Sequence, residues 1–163
     1  MANKHLAIYL NDHLAGATGA LELLTHLAEA HADTQIGDIL TSLHAEIDAE
    51  RQELEQLIDR LDITVSAPRK LGAWLGEKLA YAKLQLDDKA AGAMRLFEGL
   101  EALAIGIQGK RGLWSVLGVV SERLPELQGI DYQQLVLRSE DQHRRVELMR
   151  LAAAKQAFEV STE

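Results

Sequence analysis

Apolar residues recur with a helical period along most of this chain, which leaves helix packed on helix as the way to bury them. At about 100° per residue, Leu6, Tyr9, Leu10, Leu14, Ala17, Ala20, Leu21, Leu24, Leu27 and Ala28 share one face of a helix over residues 4–30. A second face runs through Ile36, Ile39, Leu40, Leu43, Ile47, Leu54, Leu57, Ile58 and Leu61. A last helix over residues 132–158 buries Leu135, Val136, Val146, Met149, Ala153 and Ala157. Between them, residues 89–123 keep Leu96, Leu100, Leu103, Ile107 and Trp114 in phase. Arg95, Glu98, Glu101, Gln108 and Lys110 are almost its only polar side chains. A helix that apolar is expected to be central. The string Asp62-Ile63-Thr64-Val65 is too short and isolated to argue for a sheet.

Local signals divide the helices. Asn3 and Asp33 are expected N-caps. The short link at Asp33 predicts that the first two helices pack antiparallel. Ser66 before Pro68 predicts a third helix over about residues 69–85, with Leu71, Trp74, Leu75, Leu79 and Ala82 on one side and Trp74 as a packing anchor. Pro125 and Gly129 break the chain again, and Asp131 with Gln134 resembles a capping box. Gly92, Gly99 and Gly106 recur every seven residues, which predicts a groove where another helix backbone comes close. A kink near Gly109 or Gly112 is a further expectation. The architecture that fits is all-α: one domain, residues 1–163, a four-helix bundle with an additional helix in the crossover.

Composition narrows the function classes. The chain has 163 residues and no cysteine, so disulfides and thiolate metal or redox sites are excluded. A net charge of −8 argues against nucleic acid as a partner, because phosphate binding needs clustered Lys and Arg. No apolar run approaches the roughly 20 residues of a membrane span, and the first five residues lack the apolar core of a signal peptide. A cytoplasmic protein without membrane contact is expected.

The informative residues are polar groups near the middles of the helices. His13 falls inside the first apolar face, while Asn11 is expected to point away from it. Glu50 fills the gap between Ile47 and Leu54, with Glu46 one turn earlier on the flank. Glu98 and Glu101 lie on the long helix, and Ser139, Gln142 and His143 sit among the apolar residues of the last. A buried carboxylate is costly unless paired or metal-bound. One reading pairs Glu50 with an arginine: Arg51, Arg144 or Arg145. The other brings His13, Glu46, Glu50, Glu98, Glu101 and His143 together as a metal site of hard-to-borderline character, suited to iron, manganese or zinc.

The pattern resembles ferritin-like bundles, which supply a Glu from each of two helices and Glu-x-x-His from each of the other two. Glu140-x-x-His143 matches one such motif, although Glu140 lies off the inner face. The second helix departs from the pattern, with Ala49 and Glu53 three residues after Glu46 and Glu50. The first departs as well, with His13 where an inward glutamate is needed. The strings Tyr9-Leu10-Asn11-Asp12-His13-Leu14-Ala15-Gly16-Ala17, Ala73-Trp74-Leu75-Gly76-Glu77-Lys78-Leu79 and Leu100-Glu101-Ala102-Leu103 through Lys110 also look like a group of small uncharacterised bacterial proteins. The resemblance implies the fold and carries no activity.

Other chemistry has no support. Gly109-Lys110 is followed by Arg111 rather than Ser or Thr, so it is no P-loop, and no serine shows a nucleophile elbow. Two function classes remain, and neither commits the chain to being an enzyme. One is a metal-binding or oxidoreductase ferritin-like protein, with His13, Glu50, Glu98 or Glu101, and His143 as ligands. The other is a non-catalytic bundle that forms homo-oligomers or binds a partner, its buried polar residues fixing the packing. For that role the chain offers the Gly-lined groove or the outer leucines, Leu137, Leu148 and Leu151, which form an apolar strip on the last helix away from its inner face.

Overall fold

The computed structural model describes residues 4–66, 77 and 92–159. Four long helices carry the fold: α1 (Lys4–Ala30), α2 (Gln35–Arg60), α3 (Gly92–Ser121) and α4 (Tyr132–Phe158). A short 3-10 turn, Pro125–Leu127, precedes α4, and no strand occurs among the described residues. The helix expected over residues 69–85, with Trp74, lies outside the described residues. From Gly92 to Ser121 α3 is one uninterrupted helix.

Caps explain most boundaries. The α4 start is as expected: the Asp131 side chain accepts a hydrogen bond from the Gln134 backbone N–H at 2.9 Å. At α2 the expected cap, Asp33, is instead a left-handed turn residue with φ 61°. Thr34 takes its place, its hydroxyl accepting from the Gly37 N–H at 3.1 Å. Asp33 thereby reverses the chain and Thr34 restarts it. Gly37 is tightly constrained there, because a Cβ on it would run into the carbonyl oxygen of His31.

The core falls into two halves. Leu24 and Leu27 of α1, Leu40 and Leu43 of α2, Leu100 and Leu103 of α3, and Val146 of α4 fill one. Leu10 and Leu14, Leu54 and Leu57, Leu113 and Trp114, and Leu135 fill the other. Chain direction follows from this division. α1 and α4 run from the second half to the first, and α2 and α3 run the opposite way. α1 packs on α2 and α3, and α4 packs on the same two, so every neighbouring pair is antiparallel. α2 and α3 face each other across the bundle, joined by a single long connection.

Two expectations are corrected. Asn11 does not point to solvent; it is 5% exposed. Its Nδ2 donates to the carbonyls of Ala7 (2.9 Å) and Thr64 (3.2 Å), and its Oδ1 accepts from the Ser66 N–H at 2.9 Å. A short polar side chain thus ties the irregular segment after α2 to α1. Nor do the heptad glycines admit a helix backbone. Among the described residues a Cβ at Gly99 would come nearest to the Leu27 side chain, at 2.9 Å, and those at Gly92 and Gly106 would meet nothing within 4 Å.

The glycines therefore predict opposite responses to alanine. Gly37→Ala forces backbone apart and should cost about 1–3 kcal/mol in urea unfolding. Gly112→Ala meets open space on a helix and should stabilise by up to about 1 kcal/mol. Equal effects of the two would contradict the close approach of Gly37 to His31 in the α1–α2 turn.

Candidate functional site

Between the two halves of the core lies a polar layer, and the helical phase places its members. On α2, Glu50 follows Leu43 and Ile47 and precedes Leu54 and Leu57 at steps of four, three, four and three. On α3, Lys110 occupies the same kind of slot between Ile107 and Trp114, and on α4 Gln142 lies between Ser139 and Val146. Each is therefore carried inward by its apolar neighbours. Glu50 is 1% exposed, Gln142 fully buried, and the Lys110 side chain 13% exposed.

The three close a triangle. The Lys110 ammonium donates to Glu50 Oε2 across the bundle and to Gln142 Oε1. Gln142 Nε2 donates to Glu50 Oε1 at 3.0 Å and to Glu46 Oε2 at 3.3 Å. An ammonium only donates and a carboxylate only accepts, so the amide between them has one productive orientation. Burial pushes the Lys110 ammonium below its ordinary pKa, opposed by the charge of Glu50 beside it. Ser139, also buried, satisfies its own hydroxyl by donating to the Leu135 carbonyl at 2.9 Å.

The layer continues to the surface. Arg145 donates to Glu46 Oε1 at 3.0 Å and Oε2 at 2.5 Å, a bidentate pair. This pairing is the main cause that holds the Glu46 carboxyl below its ordinary pKa, against the opposing effect of burial. Arg145 Nε also lies 2.9 Å from Asp141 Oδ2. The partner of Glu50 is therefore Lys110, not an arginine. Arg51 pairs with Asp48 and Glu55, Arg144 with Asp141, and Arg145 with Glu46.

The six expected metal ligands are dispersed. Glu50 and Glu46 meet through Gln142, but each already carries a cation. Glu101 is exposed and faces Arg150 at 3.4 Å. It lies nine residues before Lys110 on α3, about 13 Å along the helix, and Glu98 is half-buried still further away. His143 is half-buried near Glu147, whose carboxyl is held below its ordinary pKa mainly by the hydrogen bond from Arg150. His13 is half-buried, its ring edge-on to Tyr9 at 4.6 Å between centroids, and burial lowers its pKa. Among the described residues no group of three or more His, Asp or Glu is placed to hold a metal ion. Glu140 is exposed and bonded to Arg111 at 2.9 Å, so the Glu-x-x-His pair does not converge. The donor set does not fit a di-metal centre, because an ammonium stands among the carboxylate and amide oxygens.

At the level of the layer no α1 side chain bonds to the Glu50–Lys110–Gln142 triangle. A cavity of about 80 Å³ lies there, with Gly16 and Ala17 of α1, Glu50 of α2, and Gly106, Lys110 and Trp114 of α3 in its lining. His13 borders the same space.

No protein-family model matches the chain, and no curated protein or solved structure matches it at a significant level.

The triangle predicts strong coupling. Lys110→Met leaves a buried carboxylate uncompensated and should cost about 3–5 kcal/mol. Adding Glu50→Gln lets two amides bond reciprocally, so the double variant should regain more than half of that loss in urea unfolding. Two single effects that simply add, within about 0.5 kcal/mol, would contradict the pairing.

Proposed function

We propose that this protein is a ferritin-like bundle that works without a resident metal, as a non-catalytic protein acting by association. The observation that carries this reading is Lys110. Its ammonium sits in the interior between Glu50 and Gln142, where it supplies the positive charge that buried carboxylates otherwise take from a metal. The ferritin-like assignment is supported by the chain directions, with α1 and α4 one way, α2 and α3 the other, and one long connection between α2 and α3.

Association is the activity that the surface favours. Leu137, Leu148 and Leu151 are 51%, 66% and 49% exposed along one line of α4. The partner we assign to this strip is a second copy of the chain. The bundle's polar layer then serves packing, as buried polar groups do where they select one helix register over others.

One preparation tests both parts. Protein purified without chelator or His-tag should carry substoichiometric iron, manganese and zinc, and should sediment as a dimer that Leu148→Glu converts to monomer. Stoichiometric metal that is lost in Glu50→Ala would overturn the metal-free reading. A monomer at high concentration would overturn association through α4.

A further inference from the structure

The polar triangle is closed by side chains of three helices, and the space left beside the fourth has defined chemistry. The cavity beside α1 exists because the residues on both its sides are small. Gly16 and Ala17 line it together with Gly106 and Gly109, and a Cβ on either α3 glycine would meet nothing within 4 Å among the described residues. Its volume, about 80 Å³, is roughly half the 150 Å³ of an engineered cavity that holds benzene. A molecule of only a few non-hydrogen atoms fits.

The lining supplies hydrogen-bond donors. An ammonium has three N–H groups, and Lys110 uses two of them, on Glu50 and Gln142. The third has no acceptor among the described residues. Trp114, also in the lining, is 1% exposed, and its indole N–H likewise finds no acceptor among the described residues. An unsatisfied buried donor costs about 1–3 kcal/mol, so an acceptor brought into the cavity relieves that cost.

Charge selects the ligand class. Glu50 balances Lys110, and Asp12 and Arg51 bring one charge of each sign to the same lining. His13, with its pKa lowered by burial, adds no charge at neutral pH. A charged ligand would be desolvated there without a counter-charge.

We propose that this cavity binds a small neutral molecule with an apolar body and a single hydrogen-bond acceptor, a ketone or alcohol of a few carbon atoms, held by the remaining N–H of Lys110. The proposal rests on the same Lys110 layer as the metal-free reading, but it is tested separately, since metal content does not report on this cavity.

The test is a titration of the full ¹⁵N-labelled chain with 2-butanone, read at the Trp114 indole N–H, which is assigned with a Trp74→Phe variant. A saturable shift is expected. The isosteric hydrocarbon 2-methyl-1-butene should bind about tenfold more weakly, the worth of one charge-assisted hydrogen bond, and propanoate should also bind more weakly. Gly106→Leu fills the cavity and should abolish the shift, with Ala17→Leu as the second filling variant should the first not fold. Absence of a saturable shift, survival of the shift in a folded cavity-filled variant, or equal or tighter binding of hydrocarbon or propanoate would each overturn the proposal.

Discussion

The Lys110–Glu50 ion pair, bridged by Gln142, is the contact on which the rest of the bundle depends. It crosses the diagonal between α2 and α3, helices that otherwise face each other at a distance, and it ties both to α4. Apolar cores above and below it would tolerate sliding of one helix past another, because leucine packs on leucine in several registers. A buried charge has one partner. Any slip by a turn would leave Glu50 or Lys110 alone in a low-dielectric interior, at a cost of several kcal/mol. The network's outward continuation through Glu46 to Arg145 sits partly in water and contributes less.

The four described helices were legible in the sequence. The bounds of α1, the Asp131 cap of α4 and the inward phase of Glu50, His13 and Gln142 all follow from periodicity and cap chemistry. Errors arose where a local signal had two structural uses. Asp33 and Thr34 both suit a cap, but the antiparallel turn needs one residue at positive φ, and Asp33 fills that role. The phase of Asn11 marks it as off the core face, yet it is buried by the segment that follows α2, a tertiary contact that a single helix does not encode. The heptad glycines signalled close approach, whereas two of the three face open space and Gly99 alone meets Leu27.

The candidate site was half legible. Glu50 and Gln142 stood out as polar groups in apolar stripes, and Lys110 occupied the same phase, with Ile107 three residues before it and Trp114 four after. A lysine there reads as a snorkelling side chain whose head reaches water. What periodicity does not carry is which helix lies opposite. Only the pairing of α2 and α3 across the bundle turns a lone lysine and a lone glutamate into an ion pair. The same absence of depth information let Glu101, about 13 Å along α3 from the layer, stand beside Glu50 as an expected ligand.

The Lys110 ammonium thus takes a central position in the bundle, between Glu50 of α2 and Gln142 of α4, and α1 borders the remaining space with Gly16 and Ala17. The most direct measurement of this claim is NMR of the lysine side chains in ¹⁵N-lysine-labelled protein at neutral pH. The account predicts one ammonium group, assigned to Lys110 by its loss in Lys110→Met, whose protons exchange slowly with water and correlate with the Glu50 carboxyl carbon. A Lys110 ammonium that exchanges as fast as the surface lysines, with no such correlation, would contradict it.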